Sequence, residues 1–300
     1  MSLSFYLRSI KLRKRYLKEI LVPYLYITPF MISFFIFFFI PAVYSLILSF
    51  YQYRGYGTMR FINIRNYVTL FTYSGFWISF RNTFFYFFLH SIPTIIIAFI
   101  LAYMLQSKLM RGVQKYFKPV LFLPQVIPIV ATALVWRIIL SRDTGVINQI
   151  FGLSLDYLNE PSLQRWMVVV MMIWRAIGWY MVIFLAGLTT VSDELHDASL
   201  IDGANTLQHI FRVVLPIMRP IFLFTFIMNG IGSIKLYTEP TVLLNVGAEF
   251  KPNVMTLMSV LISNLNGANF GVASATGWFV FLLVLIITLF WFRVLGKKEE

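Results

Sequence analysis

Between Glu19 and Arg54 the chain carries no charged residue, and between Arg81 and Lys108 it carries none again. Crossing roughly 30 Å of hydrocarbon takes about 20 predominantly apolar residues in a helix. These stretches predict spans over 23–48 and 82–106. Four further runs have the same character: 120–140, with Pro124 and Pro128 and reaching Arg137; 166–189, interrupted by Arg175; 220–244, containing Lys235 and Glu239; and 272–292, ending at Arg293. The expectation is an all-α integral membrane protein with six transmembrane helices and both termini on one side. The first run is too long for a signal-peptide core and has no convincing cleavage site, so it reads as a retained span.

Composition agrees. Only 12% of the 300 residues are charged, against roughly 25% in a soluble domain. The chain has no cysteine, which excludes disulfides and thiol chemistry. His90, His196 and His209 are not in metal-ligand spacing, so no metal site is expected. The net charge of +13 does not point to nucleic acid, because the bases cluster at the ends of apolar runs. Fifteen fall on one side, in the arm (Arg8, Lys11, Arg13, Lys14, Arg15, Lys18), after span two (Lys108, Arg111, Lys115, Lys118), at Arg212 and Arg219, and in the tail (Arg293, Lys297, Lys298). Seven fall on the other: Arg54, Arg60, Arg65, Arg81, Arg142, Arg165 and Lys251. The richer side is cytoplasmic. The organisation is therefore a basic cytoplasmic arm (1–22), one membrane domain (23–294) and a cytoplasmic tail (295–300). The arm is either an amphipathic helix on the anionic inner leaflet or a solvated stop signal.

A polar island, DELHDASLIDGANTLQHIFRVVLP over 193–216, separates spans four and five. Residues 194–201 and 205–214 each suit a short helix, with Gly203 permitting a sharp turn and Asp202 or Asn205 capping the second piece. Leu200, Ile201, Leu207, Ile210 and Phe211 form an apolar face of the kind that enters a partner groove. An amphipathic connector would have the same spacing. The order Asp197-Ala198-Ser199-Leu200-Ile201-Asp202-Gly203-Ala204, followed by Phe211 and Leu215-Pro216, resembles the EAA loop of ABC-importer permeases. Two positions depart from that pattern: Asp197 stands for the usual glutamate and Ser199 for the second alanine.

The resemblance extends further, through Asn66-Tyr67, Leu70-Phe71, Phe76-Trp77, Asn82-Thr83, Gly145, Asn148, Trp174, Gly178, Gly232-Ser233 and Tyr237-Thr238-Glu239-Pro240. The chain is thereby similar to MalF-like carbohydrate permeases. The Gly-Gly-Pro loop common after their fifth span is replaced by Asn245-Val246-Gly247. The resemblance implies a type I ABC importer permease fold in a bacterial or archaeal inner membrane. It also implies three partners: a second homologous permease, a cytoplasmic ATPase dimer that binds ATP and Mg, and an extracytoplasmic solute-binding protein. Glu194, Asp197, Ala198, Ser199, Asp202, Gly203, Ala204 and Phe211 would then couple the subunit to the ATPase. The cargo is a sugar or oligosaccharide, with glycerol phosphate or a polyamine as alternatives. An ion-coupled secondary transporter using Glu239, or a membrane anchor, are the rivals from other classes.

Arg175 falls near the midplane of span four, where an arginine costs at least about 2.5–3.5 kcal/mol unless it meets water or a partner. It is expected to face the translocation path or a subunit interface. Lys235 and Glu239 stand four apart and either pair on one face of span five or snorkel outward. Trp179, Tyr180 and Tyr237 offer faces for sugar rings, although each alone reads as a belt or packing residue. Asn229 joins this pathway set. The chain contains no G-x-x-x-x-G-K-[ST] phosphate loop, so no ATPase activity of its own is expected.

Overall fold

The computed structural model describes residues 19, 21–107, 110, 112–245 and 251–296, the side chains of residues 193, 196 and 200 excepted. The basic arm over 1–18, Lys108, Arg111, Lys297, Lys298 and the Val246-Gly247 departure lie outside the described residues.

Helix α1 (Leu21–Leu48) is long, apolar and almost entirely exposed. A two-stranded antiparallel ribbon follows, β1 (Tyr51–Gln52) with β2 (Arg60–Phe61), pairing Tyr51 with Phe61. Helix α2 (Arg65–Thr72) leads into α3 (Ser74–Gln106), 33 residues long. The second span was expected from 82; its helix begins at Ser74, because Arg81 interrupts hydrophobicity but not helix propensity.

The third span is not one helix. It breaks into α4 (Gln114–Val126) and α5 (Ile129–Ile139), bent by 99°. Pro128 explains the break: it disfavours helical geometry in the residue before it, and Ile127 is extended (φ −68°, ψ 133°). After α6 (Val146–Phe151) comes α7 (Pro161–Leu188), an uninterrupted 28-residue helix that carries Arg175 within it. The island folds as α8 (Asp193–Ile201) and α9 (Thr206–Ile217), the latter containing a wider π turn over Ile210–Val214.

The fifth span also differs from expectation. Helix α10 (Arg219–Ile234) stops at Lys235, and a separate α11 (Thr238–Leu243) follows. Pro240 cannot donate to the carbonyl four residues back and its ring crowds that carbonyl. The Leu236 carbonyl instead accepts from the Thr256 hydroxyl. Lys235 and Glu239 therefore do not share one helical face. Helices α12 (Leu257–Asn266) and α13 (Phe270–Leu295) complete the described chain. Four helices are each long and apolar enough to cross a membrane, or up to six spans when each bent pair (α4 with α5, α9 with α10) counts as one.

Side-chain to backbone bonds fix the helix ends. At one end Asn66 Nδ2 donates to the Ser49 and Tyr51 carbonyls (2.8 and 2.9 Å), tying α2 to the ribbon. Asn82 Nδ2 donates to the Pro252 and Met255 carbonyls (2.7 and 2.9 Å), and Thr83 Oγ1 accepts from the Leu257 amide. Asn148 donates to the Arg142 and Leu155 carbonyls (3.0 and 2.8 Å). At the opposite end Gln106 reaches the Leu188 carbonyl and Arg219 the Val294 carbonyl, gathering the ends of α3, α7 and α13 beside the start of α10. Between the two ends, α3 and α7 form the central pair of the bundle, with Ile95, Ala98, Phe184 and Leu188 buried in one shared cluster.

Candidate functional site

Midway along the bundle a cavity of about 200 Å³ opens between α3, α4, α7, α10 and α11. It is lined by His90, Gln125, Arg175, Tyr180, Asn229 and Glu239, with Trp179 (44% exposed) on its open side. The structure thus brings together Arg175, Trp179, Tyr180, Asn229 and Glu239, drawn from three separate helices. It does not bring in Lys235 or Tyr237. Lys235 is the exposed C-cap of α10, and Tyr237 is the turn residue that starts α11.

The walls stand close because α7 offers α4 no side chain at Gly178. A Cβ there would lie 1.8 Å from the Leu121 carbonyl oxygen and 2.8 Å from Phe122 Cα. This contact brings α4 alongside α7, so that Trp179 stacks on Phe122 (5.9 Å between centroids, 27° between planes). Arg175 then reaches the Gln125 carbonyl only at 3.4 Å, and its Nε finds no partner among the described residues. Arg175 and Glu239 line the same cavity and the guanidinium's field reaches the carboxylate, yet they do not close into an ion pair.

The opposite wall is a polar chain that composition alone does not reveal. His90 Nδ1 lies 2.8 Å from Ser233 Oγ, Ser91 Oγ lies 2.9 Å from the same hydroxyl, and Ser233 donates to the Asn229 carbonyl at 3.0 Å. Tyr180 lines the same cavity as Asn229. His90 Nε2 and Asn229 Nδ2 remain without a protein partner among the described residues. Leaving a buried donor unmade costs about 1–3 kcal/mol. Several such groups around one opening favour a polar guest over an apolar one. Sequence reasoning missed His90 and Gln125. The available signal was a histidine–serine pair inside an otherwise apolar run, with Asn229 and Ser233 four apart on the facing helix.

The island lies at the end of the bundle where Gln106 meets Leu188 and Arg219 meets Val294. Gly203 takes a left-handed φ of +75°, with open space where a Cβ would sit, so backbone freedom rather than crowding demands glycine. Asn205, not Asp202, caps α9: its side chain accepts from the Gln208 amide while Gln208 accepts from the Asn205 amide. Asp202 closes the preceding helix, its amide donating to the Ala198 carbonyl, and the Ala204 amide donates to the Ser199 carbonyl. Ser199 is buried, with its hydroxyl 2.8 Å from His209 Nδ1, joining the island's two helices. Glu194 and Asp197 are exposed on α8. Ile201, Leu207 and Phe211 are 87%, 66% and 65% exposed, an apolar tip that nothing in the chain covers among the described residues. Ile210 instead turns inward against the bundle.

Residues 67–299 match the model of the family described as "Binding-protein-dependent transport system inner membrane component". The chain is 32% identical over 286 residues to the probable ABC transporter permease protein YesP of Bacillus subtilis, covering 92% of this chain and 91% of that one. It is 28% identical to the arabinooligosaccharides transport system permease protein AraP of the same organism, over 92% of this chain and 88% of that one. Among solved structures, a chain of a bacterial ABC transporter involved in import of the acidic polysaccharide alginate superposes with a TM-score of 0.81 at 24% identity, covering 97% of this chain and all of the other.

Proposed function

The chain belongs to the binding-protein-dependent transport system inner membrane components, and on that footing we propose that it forms half of the membrane pathway of an ABC importer for oligosaccharides. Six spans are counted if α4 with α5 and α9 with α10 each cross once, and the charge bias of fifteen bases against seven sets the island and both termini in the cytoplasm. The subunit sits in a bacterial or archaeal inner membrane beside a second, homologous permease. ATP and Mg are bound by a separate ATPase dimer, since this chain has no phosphate loop. A solute-binding protein delivers cargo to the outer face.

The observation that carries this reading is the cavity. An apolar bundle keeps Arg175 and Glu239 in one opening, unpaired, beside Asn229, His90 and Tyr180. Burying separated charges against hydrocarbon is costly. Around a polyhydroxylated guest each group finds a hydroxyl to donate to or accept from, and the Trp179 face supplies a stacking surface. Neither acid–base nor covalent chemistry is required of these residues. They lower the cost of moving sugar hydroxyls out of water. On the inner side the exposed tip of Ile201, Leu207 and Phe211 enters a groove of the ATPase. Glu194 and Asp197 flank it, and Asp202, Gly203 and Ala204 hold the turn. Closure of the ATPase pair then pushes α8 and α9, and α9 runs directly into α10, which carries Asn229.

The test uses the absence of cysteine. A cysteine placed at 175 in the assembled transporter should react with a water-soluble thiol reagent in at least one state, and added oligosaccharide should slow the reaction. Arg175→Ala should cut uptake about tenfold or more, whereas Arg142→Ala, on an exposed loop, should leave it within twofold. Protection of position 175 in every state, without contact to the second permease, would remove Arg175 from the pathway.

A further inference from the structure

The outer end carries a charge pattern that works against the topology rule. Between 49 and 81 the chain has four arginines (Arg54, Arg60, Arg65 and Arg81) and no acidic residue. Extracytoplasmic loops are depleted of basic residues, so a cluster of four arginines here runs against the orientation signal. Arg54 and Arg65 are exposed and line one polar groove of about 310 Å³ with Gln52, Thr69 and Asn269. Neither guanidinium has a hydrogen-bond or ion-pair partner among the described residues, and no acidic side chain lines the groove.

The groove is built rather than incidental. Asn66 clamps its floor to Ser49 and Tyr51, and the Phe270 amide donates to the Tyr53 carbonyl at 3.1 Å. Gly271 lets α13 approach so closely that a Cβ would lie 2.2 Å from the Tyr51 carbonyl and 2.7 Å from Asn66 Nδ2. Three separate elements thus hold two guanidinium-bearing segments on either side of one opening. A guanidinium in such a setting matches carboxylate geometry in a two-pronged fashion that lysine does not.

We propose that this groove is the docking socket for an acidic side-chain cluster on the solute-binding protein, with Arg54 and Arg65 as the recognising pair. The inference rests on the importer reading above. It commits to the binding protein because the groove lies at the outer end of the bundle, opposite the island, where a partner of complementary charge would land. Charge complementarity of this kind chiefly raises the association rate and selects the partner, and it weakens with salt.

The experiment uses the complete transporter in lipid nanodiscs, with ATP hydrolysis stimulated by the purified solute-binding protein as readout. Arg54→Glu with Arg65→Glu should raise the half-saturating concentration of binding protein at least tenfold at low salt, leaving basal and maximal hydrolysis within twofold. Arg54→Gln with Arg65→Gln should raise it about threefold, and serves if the charge reversal impairs assembly. Raising salt should erode the wild-type advantage and leave the Gln variant nearly flat. An unchanged half-saturation in both variants overturns the proposal. So does a shift that follows the anionic lipid content of the nanodisc instead of the binding-protein concentration, which would assign the arginines to headgroups. A wild-type transporter showing no stimulation by any binding protein would fail the importer reading itself, a result separable from either.

Discussion

The two ends of the bundle are held in different ways. The end that carries the ribbon is fixed by side-chain bonds to backbone carbonyls: Asn82 to the segment at 252–255, Asn66 to the ribbon and, locally, Asn148 across its own loop. The island at the opposite end is joined within itself by the Asn205–Gln208 capping box, the turn at Gly203 and the Ser199–His209 bond, and Ile210 and Val214 seat it on the bundle. The Asn82 bonds span up to 173 residues of sequence, while the Ser199–His209 bond spans 10. The segment tied by Asn82 is fixed to a distant part of the chain. The tip of the island, beyond the residues that seat it on the bundle, is held mainly by its own turn and caps, and its apolar side chains stay exposed.

Two glycines sharpen the contrast most. At Gly178 the objection to a side chain is space, and at Gly203 it is conformation. Gly178→Ala should drive α7 and α4 apart and largely abolish recovery of folded subunit, since overpacking commonly costs about 1–3 kcal/mol and a backbone clash is at the upper end or beyond. Detergent-extracted yield and the thermal unfolding midpoint read the effect. A variant of normal yield would mean that the close approach is not required.

Next in size is the island. Gly203→Pro, and separately Glu194 and Asp197 both changed to Lys, should insert and fold normally yet lose ATP-driven uptake and co-purification with the ATPase. The bundle survives because, among the described residues, the turn at 202–204 lies outside its buried clusters. Full uptake by both variants would leave the island as a simple connector.

At the other end, Asn82→Ala removes its two bonds to the Pro252 and Met255 carbonyls and should destabilise the subunit by about 1–3 kcal/mol. Proteolysis should show looser packing of the segment after residue 251, with the island unaffected. If cleavage sensitivity rises equally at both ends, the two regions are one cooperative unit and the contrast fails.

The smallest effect is expected at Ser199→Ala, which restores the residue usual in the EAA pattern. It deletes one hydrogen bond, worth about 0.5–1.5 kcal/mol net, and leaves His209 Nδ1 to find another partner. Uptake should fall less than threefold. A large loss would show that the Ser199–His209 bond holds the coupling geometry rather than merely trimming it.

Many of the positions that carried the family resemblance turn out to be places where the backbone needs help. Asn66, Asn82 and Asn148 satisfy carbonyls that leave regular structure, and Gly178 and Gly145 sit where a Cβ would collide with a carbonyl (1.8 and 2.1 Å). Such positions tolerate one residue type, so they stand out in sequence even without knowledge of the contact. The apolar runs were equally legible, because charge is excluded from a helix wherever hydrocarbon surrounds it. The island's turn and tip follow from residue type: glycine for a left-handed φ, and exposed Ile201 and Phe211 on two short helices either side of it.

Sequence alone misjudged the breaks. It reads 120–140 and 220–244 each as one helix, although Pro128 and Pro240 are visible. Proline disfavours a helix but does not say whether the helix kinks, stops or turns by 99°. The surrounding chain decides that; at the second break the Thr256 hydroxyl donates to the Leu236 carbonyl. The break also separated Lys235 from Glu239, turning a helical pair into one exposed cap and one cavity residue. The sequence by itself determined which residues are too polar for lipid, because the cost of burying charge belongs to the residue. Which of them meet was decided by tertiary structure. Arg175, Asn229 and Glu239 line one cavity through the packing of three helices, with Gly178 letting α4 close its side, and such packing is not encoded within a window of neighbouring residues.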